Sequence, residues 1–336
     1  MQHKTNVHAQ MKSSFATKIG LVLGLSVLLA WPALAQQTVN ETKPTGSTPW
    51  VKITHINGEV TVQAWDRNEV RVIGKLGDNT EEFIFEANER TVTIEVESKK
   101  KQNWFNWNSD YSANNDDELE IMVPKGSEIN YDSVNGSISV AGTSGGVDLE
   151  VVNGSVKVVD IEGRMRLSTV NGPIIAENVK GDLDLGSVNG SISAVHLSDD
   201  DVKVETVNGE VRLTSPAHDV VIETVNGGIK LDLSAVNRLN IETVNSRVNT
   251  DLNLLDGGKV TASSVGGGMT FAFQKDVSAR FEVDGHAGGS IRNSITDDKM
   301  EKAKYGPSRS LNFTTGSGAG KVQIETVNGS IKLETQ

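Results

Sequence analysis

The chain contains no cysteine, few aromatic residues and no second long apolar run after its first 35 residues. Without cysteine, neither a disulfide framework nor a lipid attached to cysteine is available. The one pronounced apolar run, residues 19–31, is shorter than the ~20 residues that a membrane-spanning helix needs. After residue 35, no segment has the periodicity of a helix of normal length. These absences argue against a disulfide scaffold, a membrane-spanning chain and a helical fold.

Positive charge is also scarce, and part of it lies in residues 1–35. This segment carries three lysines and no acid, then the apolar run, then Ala33-Leu34-Ala35 before Gln36. That order is typical of a secretory signal peptide that is cleaved after Ala35, whether translation starts at Met1 or at Met11. Cleavage changes the formal net charge from −12 to −15. We therefore predict an exported acidic protein, periplasmic or secreted, for which nucleic acid is a poor partner.

Composition divides the remaining chain into a linker and one domain. Residues 36–49 are rich in Gln, Thr, Pro and Ser, and we predict a flexible linker. Residues 50–336 are predicted to form a single β domain, with capping strands and an aromatic loop at 50–123, repeats at 124–271, and a C-terminal loop with the last coil at 272–336.

The tripeptide Val-Asn-Gly recurs through this domain. Complete copies follow one another at steps of 18 or 19 residues, at Asn135, Asn153, Asn171, Asn189, Asn208 and Asn226. Degenerate copies lie at Asn245 and Gly266, and a further complete copy lies at Asn328. A fixed period of this length indicates a repeat architecture in which one short unit is copied along the chain.

Apolar residues take the same places in each copy: four and six residues before the Asn, and three after it, with polar residues between them. This alternation predicts a strand, a corner at Asn-Gly and a second strand. Stacked units would form a parallel β-solenoid of about 18 residues per coil, in which asparagines hydrogen-bond up a column and the Val before each Asn is buried. The alternative is an antiparallel meander of Asn-Gly hairpins.

The polar segment from Lys99 to Asp117 interrupts the alternation, and four of the sixteen aromatic residues of the chain lie in it. They are the candidate partner-binding residues Trp104, Phe105, Trp107 and Tyr111. Exposed rings of this kind suit an envelope glycan or a protein partner. The alternative is a lid that folds over the first coils.

No catalytic set is evident in the sequence. The histidines His55, His196, His218 and His286 have no metal-ligand spacing and are interpreted as surface residues. The acidic run 199–201, or a column formed by Glu205, Glu223 and Glu242, could collect Ca²⁺. The alternative is a solvated face whose charge repels other chains. We therefore expect no cofactor, and no enzyme activity.

The segments VKITHINGEVTVQAWD and LEIMVPKGSEI, followed by the serial units SVNGSISV, TVNGPI and ETVNGEVRL, resemble the bacterial putative-adhesin family of unknown function. The resemblance covers about residues 50–336. It implies an exported, repeat-built β-solenoid with an adhesin-like binding or structural role in the cell envelope, and it supplies no functional residues. The alternative functions are a polysaccharide-processing β-helix enzyme and a sensor of envelope state.

Overall fold

The computed structural model describes residues 37–99 and 117–336, and this part of the chain contains only β-strands and connecting segments. The N-terminal strands are β1 (Gln37–Pro44), β2 (Trp50–Trp65), β3 (Glu69–Leu76), β4 (Thr80–Ala87), β5 (Thr91–Ser98), β6 (Asp117–Pro124) and β7 (Glu128–Ala141). The central strands are β8 (Val147–Asn153), β9 (Val156–Val159), β10 (Met165–Asn171), β11 (Ile174–Val179), β12 (Leu183–Asn189), β13 (Ile192–His196), β14 (Val202–Asn208), β15 (Val211–Ser215) and β16 (Asp219–Phe273). The C-terminal strands are β17 (Ala279–Gly285), β18 (Ile291–Asn293), β19 (Glu301–Lys302), β20 (Arg309–Thr314) and β21 (Gly320–Thr335).

The repeats stack as coils of a parallel β-solenoid. Strands β8, β10, β12 and β14 pair in parallel as one column, and β9, β11, β13 and β15 pair as a second column. The register equals the sequence period, so that Leu167 lies between Leu149 and Leu185. Strand β16 runs through three further coils without a break. The predicted parallel solenoid is confirmed, and the antiparallel meander is not formed by the repeats.

The aliphatic positions read from the repeat form the core. Four residues before each Asn, Leu149, Leu167 and Leu185 are fully buried, as are the residues six before and three after it. Polar residues between them point outward, as the alternation predicted. Each coil thus buries a few aliphatic side chains against like residues above and below, which a single unit could not do alone.

The corner differs from the prediction in one respect, because the Val before each Asn is exposed rather than buried. Val225 is 38% exposed and Val265 is 50% exposed, and the equivalent valines of the other copies lie between or near these values. The strand stays extended as far as the Asn, so residues two and four before it point inward and the Val points outward. The inward position closest to the corner holds a small hydroxyl residue in most copies, such as Thr169, Ser187 or Thr206.

The asparagine column predicted from the repeat is present. Each side-chain amide donates a hydrogen bond to the Asn of the preceding coil, from Asn135 to Asn57 and onward up to Asn226, at 2.8 to 3.0 Å. The Gly after each Asn turns the chain. Gly227 does so at a φ of +145°, and a Cβ at this position would lie 1.8 Å from the carbonyl oxygen of Gly209 in the preceding coil.

The N-terminal segment predicted as a flexible linker instead contributes strand β1. It pairs antiparallel with β3, and Val39 is buried in this contact. The sequence prediction was wrong here because backbone pairing with β3, rather than an apolar pattern, holds a largely polar segment in place. Strand β3 also pairs antiparallel with β6, while β5 and β6 lie on β2 in parallel. The stack therefore ends in short antiparallel strands at this end, which covers the open edge of the first coil.

The C-terminal order also corrects the prediction. Residues 272–319 were expected to leave the stack as a loop before β21 closed it as the last coil. Instead, β21 is inserted between the final coil of β16 and strands β17 and β18, and it pairs in parallel with all three. Strand β20 then covers β17 in antiparallel orientation. The rings of Phe281 and Phe313 stack at 4.4 Å there, and Phe273 packs edge-on to Phe281 at 5.3 Å.

Candidate functional site: a groove along the corner

A groove of about 990 Å³ follows the corners from β2 to the last coil of β16. Its lining comes from the three residues that precede each Asn in successive coils. A smaller cavity of about 280 Å³ shares Thr243 and Ser263 with it and continues past Val265 and Val327. Because every coil adds one more equivalent set of residues, the site is elongated and repetitive. We call it the corner groove.

One side of the corner groove is an exposed apolar stripe. We call it the valine column, which consists of Val134, Val152, Val170, Val188, Val207, Val225 and Val244. Parallel pairing places one such side chain in each coil, and adjacent strands lie about 4.8 Å apart. Isolated apolar residues are common on protein surfaces, whereas a continuous exposed stripe is a candidate interaction surface.

The other side carries the residues three before each Asn. We call it the carboxylate column, and its acids are Asp132, Glu150, Glu205, Glu223 and Glu242. Lys203 forms an ion pair with Glu205 at 2.7 Å, and this contact raises the pKa of the lysine. Glu223 and Glu242 form no salt bridge with a described residue, although Asn240 donates a hydrogen bond to Glu242 at 3.1 Å. No Lys or Arg is among the described residues that line the groove, so its electrostatic character is acidic.

The carboxylate column is interrupted halfway by two small residues, Ser168 and Gly186. Gly186 faces open space: a Cβ built there would meet only Ser168 Cβ, at 3.9 Å. Its φ lies outside the left-handed region, so the backbone does not require glycine. Two small residues therefore leave the carboxylate side open near the middle of the groove, where an added Cβ makes no clash.

A buried polar network closes the groove at its N-terminal end. His55 donates from Nε2 to Asp117 Oδ2 at 3.0 Å, and its Nδ1 faces the Tyr131 hydroxyl at 3.4 Å. Burial alone would raise the pKa of Asp117, but hydrogen bonds from His55, the Gly77 amide and Thr80 outweigh it and hold that pKa below its usual value. Burial raises the pKa of Tyr131 to about 12. The network joins β2, β6 and β7 and has a structural role at the cap.

His196 is a second buried histidine, on the connector side of the coils. Its Nε2 donates to the carbonyl of Gly181 at 3.0 Å, which leaves Nδ1 to accept from the Ser215 hydroxyl at 2.9 Å. Burial lowers the pKa of His196, and the Gly181 carbonyl and nearby aspartates offset only part of this effect. Both His55 and His196 are therefore buried, contrary to the expectation that the histidines lie on the surface.

The lowered pKa of His196 predicts acid-sensitive stability. The unfolded chain binds the proton more readily than the folded one. Neutral His196 therefore contributes fully to the free energy of unfolding above about pH 6.5, and this contribution is lost as the pH falls below that value. The loss is about 1.4 kcal/mol for each pH unit by which folding lowers the pKa. We expect the melting temperature to fall between about pH 7 and pH 5, and to fall less steeply in H196Q. The exposed His218 supplies the control, and H218Q should retain the slope of the wild type. An unchanged slope in H196Q would contradict the assignment.

The candidate partner-binding residues Trp104, Phe105, Trp107 and Tyr111 lie outside the described residues. The Glu column named in the sequence forms part of the corner groove. Within residues 37–99 and 117–336, no group of three or more His, Asp or Glu side chains is arranged to hold a metal ion. The same part of the chain has no helix long and apolar enough to cross a membrane.

The sequence analysis missed the corner groove, although the signal was present. Counting by two from the buried residue four before the Asn places the residue two before it, a Ser or Thr in most copies, inside and the Val directly before the Asn outside. The prediction instead moved the Val inward at the corner because of its hydrophobicity.

Comparison with known proteins gives a family and several similar solved structures. A family model described as Toastrack DUF4097 matches residues 51–334. No curated protein matches the chain significantly. Among solved structures, a "putative cell adhesion protein" from Clostridium sporogenes is similar, with 12% identity, coverage of 89% of this chain and 100% of that chain, and a TM-score of 0.19.

Proposed function

The chain belongs to the Toastrack DUF4097 family, and we propose that it is an exported, non-catalytic binding protein of the bacterial cell envelope. Export is inferred from the signal-peptide pattern of residues 1–35. The corner groove is the surface that supports binding best.

The observation that carries this proposal is the continuous valine column beside the carboxylate column. A groove of this length offers many equivalent weak contacts in a row, and repeated contacts with one elongated partner add up by raising its effective concentration. The described lining residues include no Lys or Arg, so such a partner would meet an acidic surface beside the valine column.

The test blocks the groove near its middle, at Gly186. G186W places a large side chain where a Cβ meets only Ser168 Cβ at 3.9 Å, so the fold should be retained while the groove is filled. We expect the purified wild type to co-sediment with envelope fragments of the producing cell, and G186W to lose about tenfold in apparent affinity, as expected when an interface centre is obstructed.

The matched control is G228W. Gly228 also has ordinary space around it, with Glu210 Cγ at 3.6 Å, and it does not line the corner groove. This variant should bind like the wild type, and both variants should melt at nearly the wild-type temperature. Equal binding by G186W and the wild type would contradict the role of the groove. Cell fractionation with N-terminal sequencing tests export separately, since a cytosolic chain that retains residues 1–35 would overturn that part.

A further inference from the structure

In most copies, the two residues before the Asn are buried in the opposite way from their polarity: a Ser or Thr two before it is buried, and the Val directly before it is exposed. Thr206 and Thr224 are buried, and their hydroxyl groups have no hydrogen-bond partner among the described residues, whereas the adjacent Val207 and Val225 are exposed. Threonine and valine have nearly the same shape, so either could fill either place sterically. An isopropyl group that remains in water does not stabilise the fold, since the hydrophobic contribution to stability comes from apolar area that is removed from water. The valine column is therefore better explained by a partner that covers it.

The charge beside the valine column restricts the partner. Glu223 and Glu242 have no ion pair with a described residue, and they stand two positions before Val225 and Val244 on the same outward face of their strands. Each of these coils thus presents an apolar methyl surface next to a carboxylate that has no ion pair with a described residue. A partner that fits must carry apolar and cationic surface within a few ångströms of each other.

Lysine and arginine side chains have this combination. Their aliphatic stems lie along apolar surface while the charged end reaches water or an anion. A lysine stem packed on Val225 could thus bring its ammonium group to Glu223 across the groove. An acidic partner or a nucleic acid would instead meet the carboxylate column with like charge.

The residues that line the corner groove also suit a polypeptide better than a cationic glycan. Sugar rings commonly pack on flat aromatic faces, while aliphatic side chains pack on aliphatic ones. Among the described residues that line the corner groove there is no Trp, Tyr or Phe. The branched, uneven valine surface suits aliphatic stems better than sugar rings.

We infer that the corner groove binds an extended, basic polypeptide segment in which lysine or arginine alternates with aliphatic residues. This inference rests on the proposed binding function and specifies the partner of the same site. A polyproline II segment suits the spacing, because its side chains repeat every three residues, about 9.3 Å, and two coils span about 9.6 Å. Such a backbone needs no hydrogen bonds from the groove.

The experiment measures binding of a labelled synthetic peptide with a repeated Lys-Pro-Val sequence by fluorescence anisotropy. Proline keeps this probe extended and prevents strand pairing between its copies. We expect saturable binding that weakens with added salt. E223Q/E242Q should bind about fivefold more weakly, through loss of two exposed ion pairs. V207S/V225S should bind about tenfold more weakly, through loss of apolar contact.

The matched control for charge is D232N/D251N. It removes two exposed carboxylates that do not line the groove, so long-range attraction falls by the same amount while the site stays intact. It should keep nearly the wild-type affinity. Three further probes separate the explanations: a Glu-Pro-Val repeat should not bind, oligolysine should bind more weakly because it lacks the aliphatic residues, and a glucosamine oligomer should also bind more weakly.

Several outcomes would overturn the inference. Equal weakening by D232N/D251N would show that net charge alone is responsible, and tighter binding of the glucosamine oligomer would identify a glycan as the partner. If the wild type binds envelope fragments and G186W does not, but no basic peptide binds, the partner class is wrong and the binding function stands. If envelope binding itself is insensitive to G186W, the proposed function is wrong.

Discussion

Replacement of Gly227 by alanine is expected to lower the free energy of unfolding by roughly 3 to 5 kcal/mol. The added Cβ would lie 1.8 Å from the carbonyl oxygen of Gly209 in the adjacent coil, and this contact is with backbone that no rotamer change can move. The φ of +145° adds strain, because L side chains rarely adopt it. Relief would require the two coils to separate at the corner, which would also lengthen the hydrogen bond between Asn226 and Asn208.

The adjacent Gly228 makes a stringent control. Its added Cβ would only touch the Glu210 side chain, at 3.6 Å and beyond, and its φ is outside the left-handed region. G228A should therefore be neutral or slightly stabilising, by up to about 0.5 kcal/mol, because it restricts the unfolded chain. Urea unfolding of both variants checks the pair. Equal midpoints would show that the corner is not as tight as the distance to Gly209 indicates.

The sequence contained enough information for the repeated part of the fold. Leu149, Leu167 and Leu185 recur at a fixed step, and a parallel stack is the arrangement that brings like residues into contact at that step. The asparagine column follows from the same step, since identical side chains then lie one strand spacing apart. Periodicity therefore predicted the register, the core and the ladder together.

The errors lie where the repeat gives no information. Strand β1 contains a single buried apolar residue, Val39, so pairing with β3 could not be read from alternation. Strand β21 pairs in parallel with β16 on one edge and with β17 on the other, and the repeat motif in β21 does not indicate that a strand earlier in the chain lies beyond it. That arrangement is a tertiary feature, seen also in the stack of Phe281 on Phe313, and the local pattern does not encode it.

The sequence predicted one of the two columns that form the candidate site. The sequence placed Glu205, Glu223 and Glu242 in one outward column, and the structure agrees. The sequence analysis did not place Val225 and its equivalents beside that column. It gave the hydrophobicity of Val more weight than the strict alternation of inward and outward residues along a strand. The two continuous columns form only when coils are stacked, since each coil contributes one Val and most coils contribute one carboxylate.

Replacement of Ile324 by aspartate is expected to cost more than about 5 kcal/mol and to test the position of β21 in the stack. Ile324 is fully buried and lies between Ala262 of β16 and Val283 of β17. The I324D variant loses the apolar contacts of isoleucine, and the new carboxylate is desolvated without a cation to pair with among the described residues.

Hydrogen exchange shows which neighbours depend on β21. With β21 inserted between them, the amides of residues 259–273 and of β17 should both lose protection in I324D, because each pairs with one edge of β21. If β21 were the last coil, only residues 259–273 would be affected, and β17 would exchange as in the wild type. E325Q is the control: the exposed Glu325 follows Ile324 on the outward face and makes only a 3.9 Å contact with His286. It should leave both regions protected, since no buried contact of β21 changes.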